Sequence, residues 1–556
     1  MTDVLVIRGG TVVDGTGDPG RIADVAVAGG RVTAIGSGLD GDRVLDASGC
    51  VVSPGFIDIH THYDAQVFWD PALTPSCYHG VTTVVAGNCG FSIAPTRPEH
   101  RELIARTLEN VEDMNVASLA AGIPWDFETF PEYLAAVERR GVGLNYAAYV
   151  GHTALRLFAM GDEAYERAAT PDEVARMQAI LRESLVAGAA GFATSFAPTH
   201  RGVDGKPVPS RLAERSEFDA LVDTVGSLGR GVVSVAPGKQ CLPQDLAALQ
   251  LRAGVPFTWG ALLTMPGGAH RAMVDMNHQS WAGGAEVWPQ VTPRPLAFSM
   301  TLAEPFALNM NPLFGALMAG GLEGRREAYA DRTWREQARE AWAGKPRFGT
   351  PQWDKYEVME SDARPELVGR CLDDLAVERG ADALDVLLDL ALEHPDLGLR
   401  VRAILANDDP DEIALLLVEE HCTLGLSDAG AHVGQLCDAP QATDFLGHWV
   451  RERSLMPMET AVRKLTGRQA DIFGLTDRGY LRPGAWADVV VFDPDTVDPG
   501  PTRRVRDFPA DASRLTADQP VGIRHIVVNG TPTQVDGART DGADHAGQIV
   551  RPPARR

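Results

Sequence analysis

The chain has 556 residues, 44% of them hydrophobic, enough to bury one large barrel with additions or two to four domains. Its formal charge of −24 argues against a nucleic-acid partner, and no apolar run reaches the roughly 18 residues of a membrane span. Seven scattered cysteines and an N-terminus, "MTDVLVIRGG", without signal-peptide regions point to a soluble chain in a reducing, cytoplasmic setting.

From the start of the chain, "DVLVIRGGTVVDGTG", "IADVAVAGGRVTAIG" and "RVLDASGCVVSPG" alternate apolar residues and end in turn residues, which predicts short strands over 1–54. Similar segments return in "GYLRPGAWADVVVFDP" and "IRHIVVNGTPTQVDG", within 475–545. The two ends are expected to pair into one small β-sandwich, with 546–556 a low-complexity tail. Between them, 55–474 alternates strands with helical stretches such as "EYLAAVERR", "DEVARMQAILRESLVAGA" and "ALDVLLDLALEH". The candidate strands are "GFIDIHTH", "GVTTVVAGNCG", "GVGLNYAAYVGH", "GAAGFATSFAP", "GRGVVSVAPG", "GVPFTWGALL", "EVWPQVTPRPLAFSM" and "CTLGLSDAGAH". Eight strands with interleaved helices is the count of a (β/α)8 barrel, an α/β fold. An insertion near 303–400 is expected to carry a lid or extra helices.

Such a barrel presents chemistry at the C-terminal ends of its strands. There the first strand offers His60 and His62, two positions apart and so on one face. Cys89 closes the second strand and Asp428 the eighth. Two imidazoles, a thiolate and a carboxylate at one mouth suit a divalent transition metal, zinc above others.

These residues fall in "PGFIDIHTHYD", "GVTTVVAGNCGFSIAP", "YVGHTALR", "LSDAGAH" and "METAVRKLTGRQADIFGLTDRGYLRPGAWADVVVFDP". Together they resemble the amidohydrolase superfamily, in its N-acyl-D-amino-acid deacylase (D-aminoacylase) branch, over nearly the whole chain. The resemblance implies a β-sandwich with a metal-bearing barrel, one or two zinc ions, and a metal-activated water attacking the amide of a small-molecule substrate. By position, His60, His62, Cys89 and Asp428 correspond to metal ligands, and Asp428 also to the residue that moves protons. A divalent cation brings the pKa of a bound water from about 15.7 toward about 7, and a carboxylate beside it could carry the water proton to the leaving nitrogen.

The match breaks at two strands. The family pattern has histidines ending the fifth and sixth strands, where this chain reads "VVSVAPGKQ" and "VPFTWGALL". Three readings stay open: one metal held by the remaining four ligands, replacement by His200, His270 or His278, or a protein that has lost its metal. Substrate contacts are expected from His152, Lys239, Arg294 and His432, although each also reads as an ordinary packing or loop residue. The loop after Asp428, "HVGQLCDAP", lacks the family's arginine, so the amine half of the substrate stays open, as does the oligomeric state. The other function classes are a cyclic amide or imide hydrolase, which "GNCG" counts against, a non-catalytic binding protein on the same scaffold, and a barrel doing a non-hydrolytic step.

Overall fold

The computed structural model describes residues 3–309, 311–318, 320–343, 345 and 350–555. Two compact units emerge: one of Met1–Leu262, Arg271–Pro293 and Ala414–Arg556, the other of Leu263–His270 and Arg294–Ile413.

In the first unit, eight parallel strands lie side by side in chain order: Phe56–Asp58, Val81–Ala86, Asn145–Gly151, Gly191–Ser195, Val232–Ala236, Phe257–Trp259, Val287–Val291 and Thr423–Leu424. Val-rich and buried along their length, they read as the continuous apolar runs of a parallel sheet covered on both faces. The first and last strands meet through a parallel bridge between Thr61 and Ala429, and the His62 N–H donates to the Ala429 carbonyl at 2.7 Å. That contact closes the barrel. Connecting helices start and stop where local chemistry directs. Pro171–Ala187, for instance, opens with a Thr170–Glu173 capping box and Pro at its first position, and ends at left-handed Gly188. No helix among the described residues is long and apolar enough to cross a membrane.

Three expectations change. The candidate seventh strand is two strands: Val287–Val291 stays in the barrel, while Leu296–Thr301 joins a sheet of the second unit. The tail is ordered: the Tyr146 N–H donates to Gln548 O at 2.9 Å and the Val550 N–H to Tyr146 O at 2.8 Å. Val550 joins an apolar cluster with Ile57, Val85, Tyr149, Val232, Trp288 and Phe473. The helix Ala383–Leu392, read from "ALDVLLDLALEH", lies in the second unit and is not a barrel connection.

The chain ends meet in one nine-stranded sheet. Val489–Phe492 pairs antiparallel with Val51–Pro54, which leads straight into the first barrel strand. Ile7, Val25, Val52, Val489 and Val527 are among its buried apolar residues. A buried polar network ties this sheet to the barrel. Asp488 accepts from Arg478, from Asn145 Nδ2 at 3.0 Å and from the Asn529 N–H at 2.8 Å, while Asn529 Nδ2 donates to Asn145 Oδ1 at 2.8 Å. The second unit has its own core: an antiparallel sheet of Leu296–Thr301, Arg400–Ala406 and Tyr356–Glu360, with Phe314, Tyr329, Leu384 and Leu387 packed in one cluster. The expected lid segment is therefore a separately cored body, wider than 303–400.

Arg478 and Asp488 are 3% and 4% exposed, so removing one partner strands a buried charge. Asp488→Ala is expected to cost about 3–5 kcal/mol, seen as an earlier unfolding midpoint in denaturant. An unchanged midpoint would contradict the role given to this network.

Candidate metal centre

The hydrogen-bonded first strand stops at Asp58, so His60 and His62 sit on the bend beyond it and not on the strand proper. Their rings nonetheless converge, with centroids 5.5 Å apart. Asp428 Oδ1 lies 3.1 Å from His60 Nε2 and 3.6 Å from His62 Nε2. Cys89 Sγ lies 3.5 Å from His60 Nε2, and ligand atoms of His60, His62 and Cys89 all fall within 4.8 Å of one another. Around a zinc-sized ion with bonds of about 2.0–2.3 Å, tetrahedral donors stand about 3.3–3.7 Å apart. His60, His62 and Cys89 fit a divalent cation, and Asp428 adjoins the two histidines.

The local backbone is bent to make this cluster. Cys89, Leu426, Asp428 and His432 all take left-handed φ, of 54°, 68°, 44° and 50°. Non-glycine residues hold that region at a cost, so such a group of outliers marks a site over-determined by its surroundings. The "GNCG" motif shows how. Gly87 (φ +79°) and Gly90 (φ +76°) flank the turn, where a Cβ would come within 2.7 Å of Tyr149 O and 2.9 Å of Thr194 Cα. Between them the Asn88 amide donates to Val85 O at 2.9 Å and Ile59 O at 3.2 Å, stapling the first two strands beside Cys89.

Outer contacts orient the rings. His60 Nδ1 meets Gln290 Oε1, an acceptor at the end of the seventh barrel strand, at 2.5 Å. A proton therefore stays on Nδ1, and Nε2 turns to Cys89 and Asp428. Ser427 Oγ donates to His60 O at 2.9 Å. On His62 the outward Nδ1 lies 3.6 Å from Glu112 Oε1.

Charges in the cluster hold one another. Burial works against an imidazolium at His60, but the Cys89 thiolate and the Asp428 carboxylate overcome it and push its pKa up to about 10; His62 is raised as well. Burial would raise Asp428, yet the two imidazoles keep it well below the carboxylate range, and they lower Cys89 against its own burial. Below the cluster, burial lifts Asp58 to about 6 and Asp64 to about 7. Protons on the rings thus balance the two anions where a cation would.

The other expected residues separate. His432 is half-buried beside the cluster, with Nε2 3.6 Å from Glu112 Oε2. His152 is fully buried, and both ring nitrogens are occupied, by Thr194 Oγ1 and Glu217 Oε1 at 2.8 Å each. That leaves it no group for a substrate, so it is a packing residue bound to Glu217, which Arg156 also grips. Lys239 is exposed on the tight turn between Gly238 and Cys241. Arg294 begins a segment of the second unit, its carbonyl accepting from Asn407 Nδ2 at 2.8 Å. His270 pairs with Glu412 and His278 with Glu419, at 2.7 Å each. His200 Nδ1 is held by Ser195 Oγ at 2.6 Å, and burial depresses its pKa to about 4. Gln290 and Glu112 were not foreseen. A polar residue interrupting the apolar strand "EVWPQV" was a signal for the first; a glutamate in a helix gave none for the second.

The amidohydrolase family profile matches residues 43–534. D-aminoacylase from Alcaligenes xylosoxydans xylosoxydans is 31% identical over 554 residues, covering 98% of this chain and 97% of that protein. A solved D-aminoacylase, described with a binuclear metal centre that one metal activates and a second attenuates, has a TM-score of 0.68 at 28% identity, covering 99% of this chain and 100% of that one. N-acyl-D-glutamate deacylase from Bordetella bronchiseptica, solved with zinc and a phosphonate mimic of the tetrahedral intermediate, gives a TM-score of 0.66 at 29% identity, covering 99% and 100%.

A cation entering the cluster must displace protons from His60 and His62. Apparent affinity for a divalent cation is therefore expected to fall as pH is lowered from 8 to 6, with proton release on loading at fixed pH. Titration of metal-free protein in weak buffer reads both, and an affinity constant across that interval would contradict the assignment.

Proposed function

Since the chain belongs to the amidohydrolase family, in its D-aminoacylase branch, we propose that it is a metal-dependent deacylase that hydrolyses the amide of a small N-acylated amine or amino acid. N-acyl-D-amino acids are the first class to test. The observation that carries the reading is the cluster of His60, His62 and Cys89, whose ligand atoms lie within 4.8 Å of one another, with Asp428 3.1 and 3.6 Å from the two histidines. Zinc is the ion best matched to two imidazoles, a thiolate and a carboxylate.

When bound, such an ion would acidify a water molecule and polarise the scissile carbonyl. The chain's own residues do the rest. Asp428, anionic and touching both histidines, takes up the water proton and delivers it to the departing nitrogen. Asp428 takes a left-handed backbone, and Cys89 and the two rings would hold the ion. One ion satisfies the four donors. A single tetrahedral set leaves water a place only when Asp428 loosens or a fifth ligand is accepted. Of the four side chains expected to meet substrate, this reading keeps His432, which adjoins the cluster.

Protein purified without added metal is expected to carry about one equivalent of zinc and to lose deacylase activity on chelation, regaining it with zinc. Turnover that survives full metal removal contradicts the reading, and a metal content near zero favours a non-catalytic scaffold. Asp428→Asn is expected to lower kcat by about 10²–10⁴-fold. A panel pairing N-acyl-D-amino acids with hydantoins separates linear from cyclic amide hydrolysis, with turnover of the linear substrates expected and preference for the rings counting against it.

A further inference from the structure

Glu112 is the last residue of the helix Arg101–Glu112 and is 2% exposed. Its side chain stands at the negative end of the helix dipole. Among the described residues, the basic side chains within ion-pair distance of it are His62 and His432. Oε1 lies 3.6 Å from His62 Nδ1 and Oε2 3.6 Å from His432 Nε2, so each oxygen faces one ring. His62 Nδ1 is buried with no hydrogen-bond partner, and this carboxylate is the acceptor beside it. The backbone fixes the arrangement. Glu112 O accepts from the His432 N–H at 2.5 Å, and Asp113, left-handed at φ 51°, accepts from the Gly434 N–H at 2.9 Å. The end of this helix is thereby pinned to the loop that carries Asp428.

We propose that Glu112 is a positioning residue of the metal centre, keeping the proton of His62 on Nδ1 so that Nε2 is presented to the cation, and coupling that ring to His432. The proposal rests on the metal-dependent reading above. It also makes the two histidines unequal. His60 is backed by the neutral amide of Gln290, His62 by a carboxylate, and a carboxylate behind an imidazole raises the basicity of the ligand nitrogen where an amide does so less. His62 is then the stronger donor, and loss of Glu112 falls on metal affinity before it falls on substrate binding.

The test uses the full chain and its Glu112→Gln and Glu112→Asp variants, with zinc as the probe. Chelator competition is expected to show zinc held about 10–100-fold more weakly in Glu112→Gln. At saturating zinc, kcat for an N-acyl-D-amino acid should fall with KM little changed, and metal-free Glu112→Gln should melt with the parent. Glu112→Asp, which keeps the charge, should recover part of the lost affinity. Zinc held as tightly by Glu112→Gln as by the parent overturns the proposal. So does a loss of affinity that tracks earlier melting of the metal-free variant and is not recovered by Glu112→Asp. A parent that binds no zinc fails the metal-dependent reading itself, an outcome visible before any variant is compared.

Discussion

Closure of the barrel is the constraint on which the site depends. His60 and His62 follow the first strand, Cys89 lies in the turn after the second and Asp428 in the turn after the eighth, more than three hundred residues later in the chain. Only a sheet that returns on itself brings the last of these to the first two. The bridge between Thr61 and Ala429 makes that return within one residue of His60, His62 and Asp428. The hydrogen bond from His62 N to Ala429 O is thus both the seam of the barrel and the ruler that sets the distance from imidazoles to carboxylate.

What the seam brings together is otherwise unfavourable. Four ionisable side chains share a small buried volume, on backbone that is left-handed at Cys89, Asp428 and His432. Stability for this arrangement has to come from elsewhere in the unit. The apolar cluster through Tyr149, Trp288 and Phe473 supplies part of it, and the Arg478–Asp488 network fastens the terminal sheet to the third barrel strand through Asn145.

Much of this was legible in the residues. Val- and Gly-punctuated runs marked the strands because parallel strands buried on both faces must be apolar and short. His60, His62, Cys89 and Asp428 stood out because each is a polar ligand type ending an apolar run. What the sequence hid was of two kinds. "EVWPQVTPRPLAFSM" reads as one strand because both halves are apolar, and the break after Val291 depends on a second core that only folding assembles. His152 follows an apolar run in the sequence just as His60 does, yet its ring is taken by Thr194 and Glu217, a pairing between residues 65 apart at most that no local pattern announces. Glu112 was invisible for the same reason: its partners are histidines from the first and last barrel segments.

Among the described residues, the cluster able to hold a metal ion is His60, His62 and Cys89, with Asp428 beside the two histidines. Anomalous diffraction at the zinc edge, from crystals of protein never exposed to added metal, tests this most directly. The account predicts one peak at bonding distance from the two imidazoles, the Cys89 sulfur and the Asp428 carboxylate. An empty cluster with those four groups turned away from one another would contradict it.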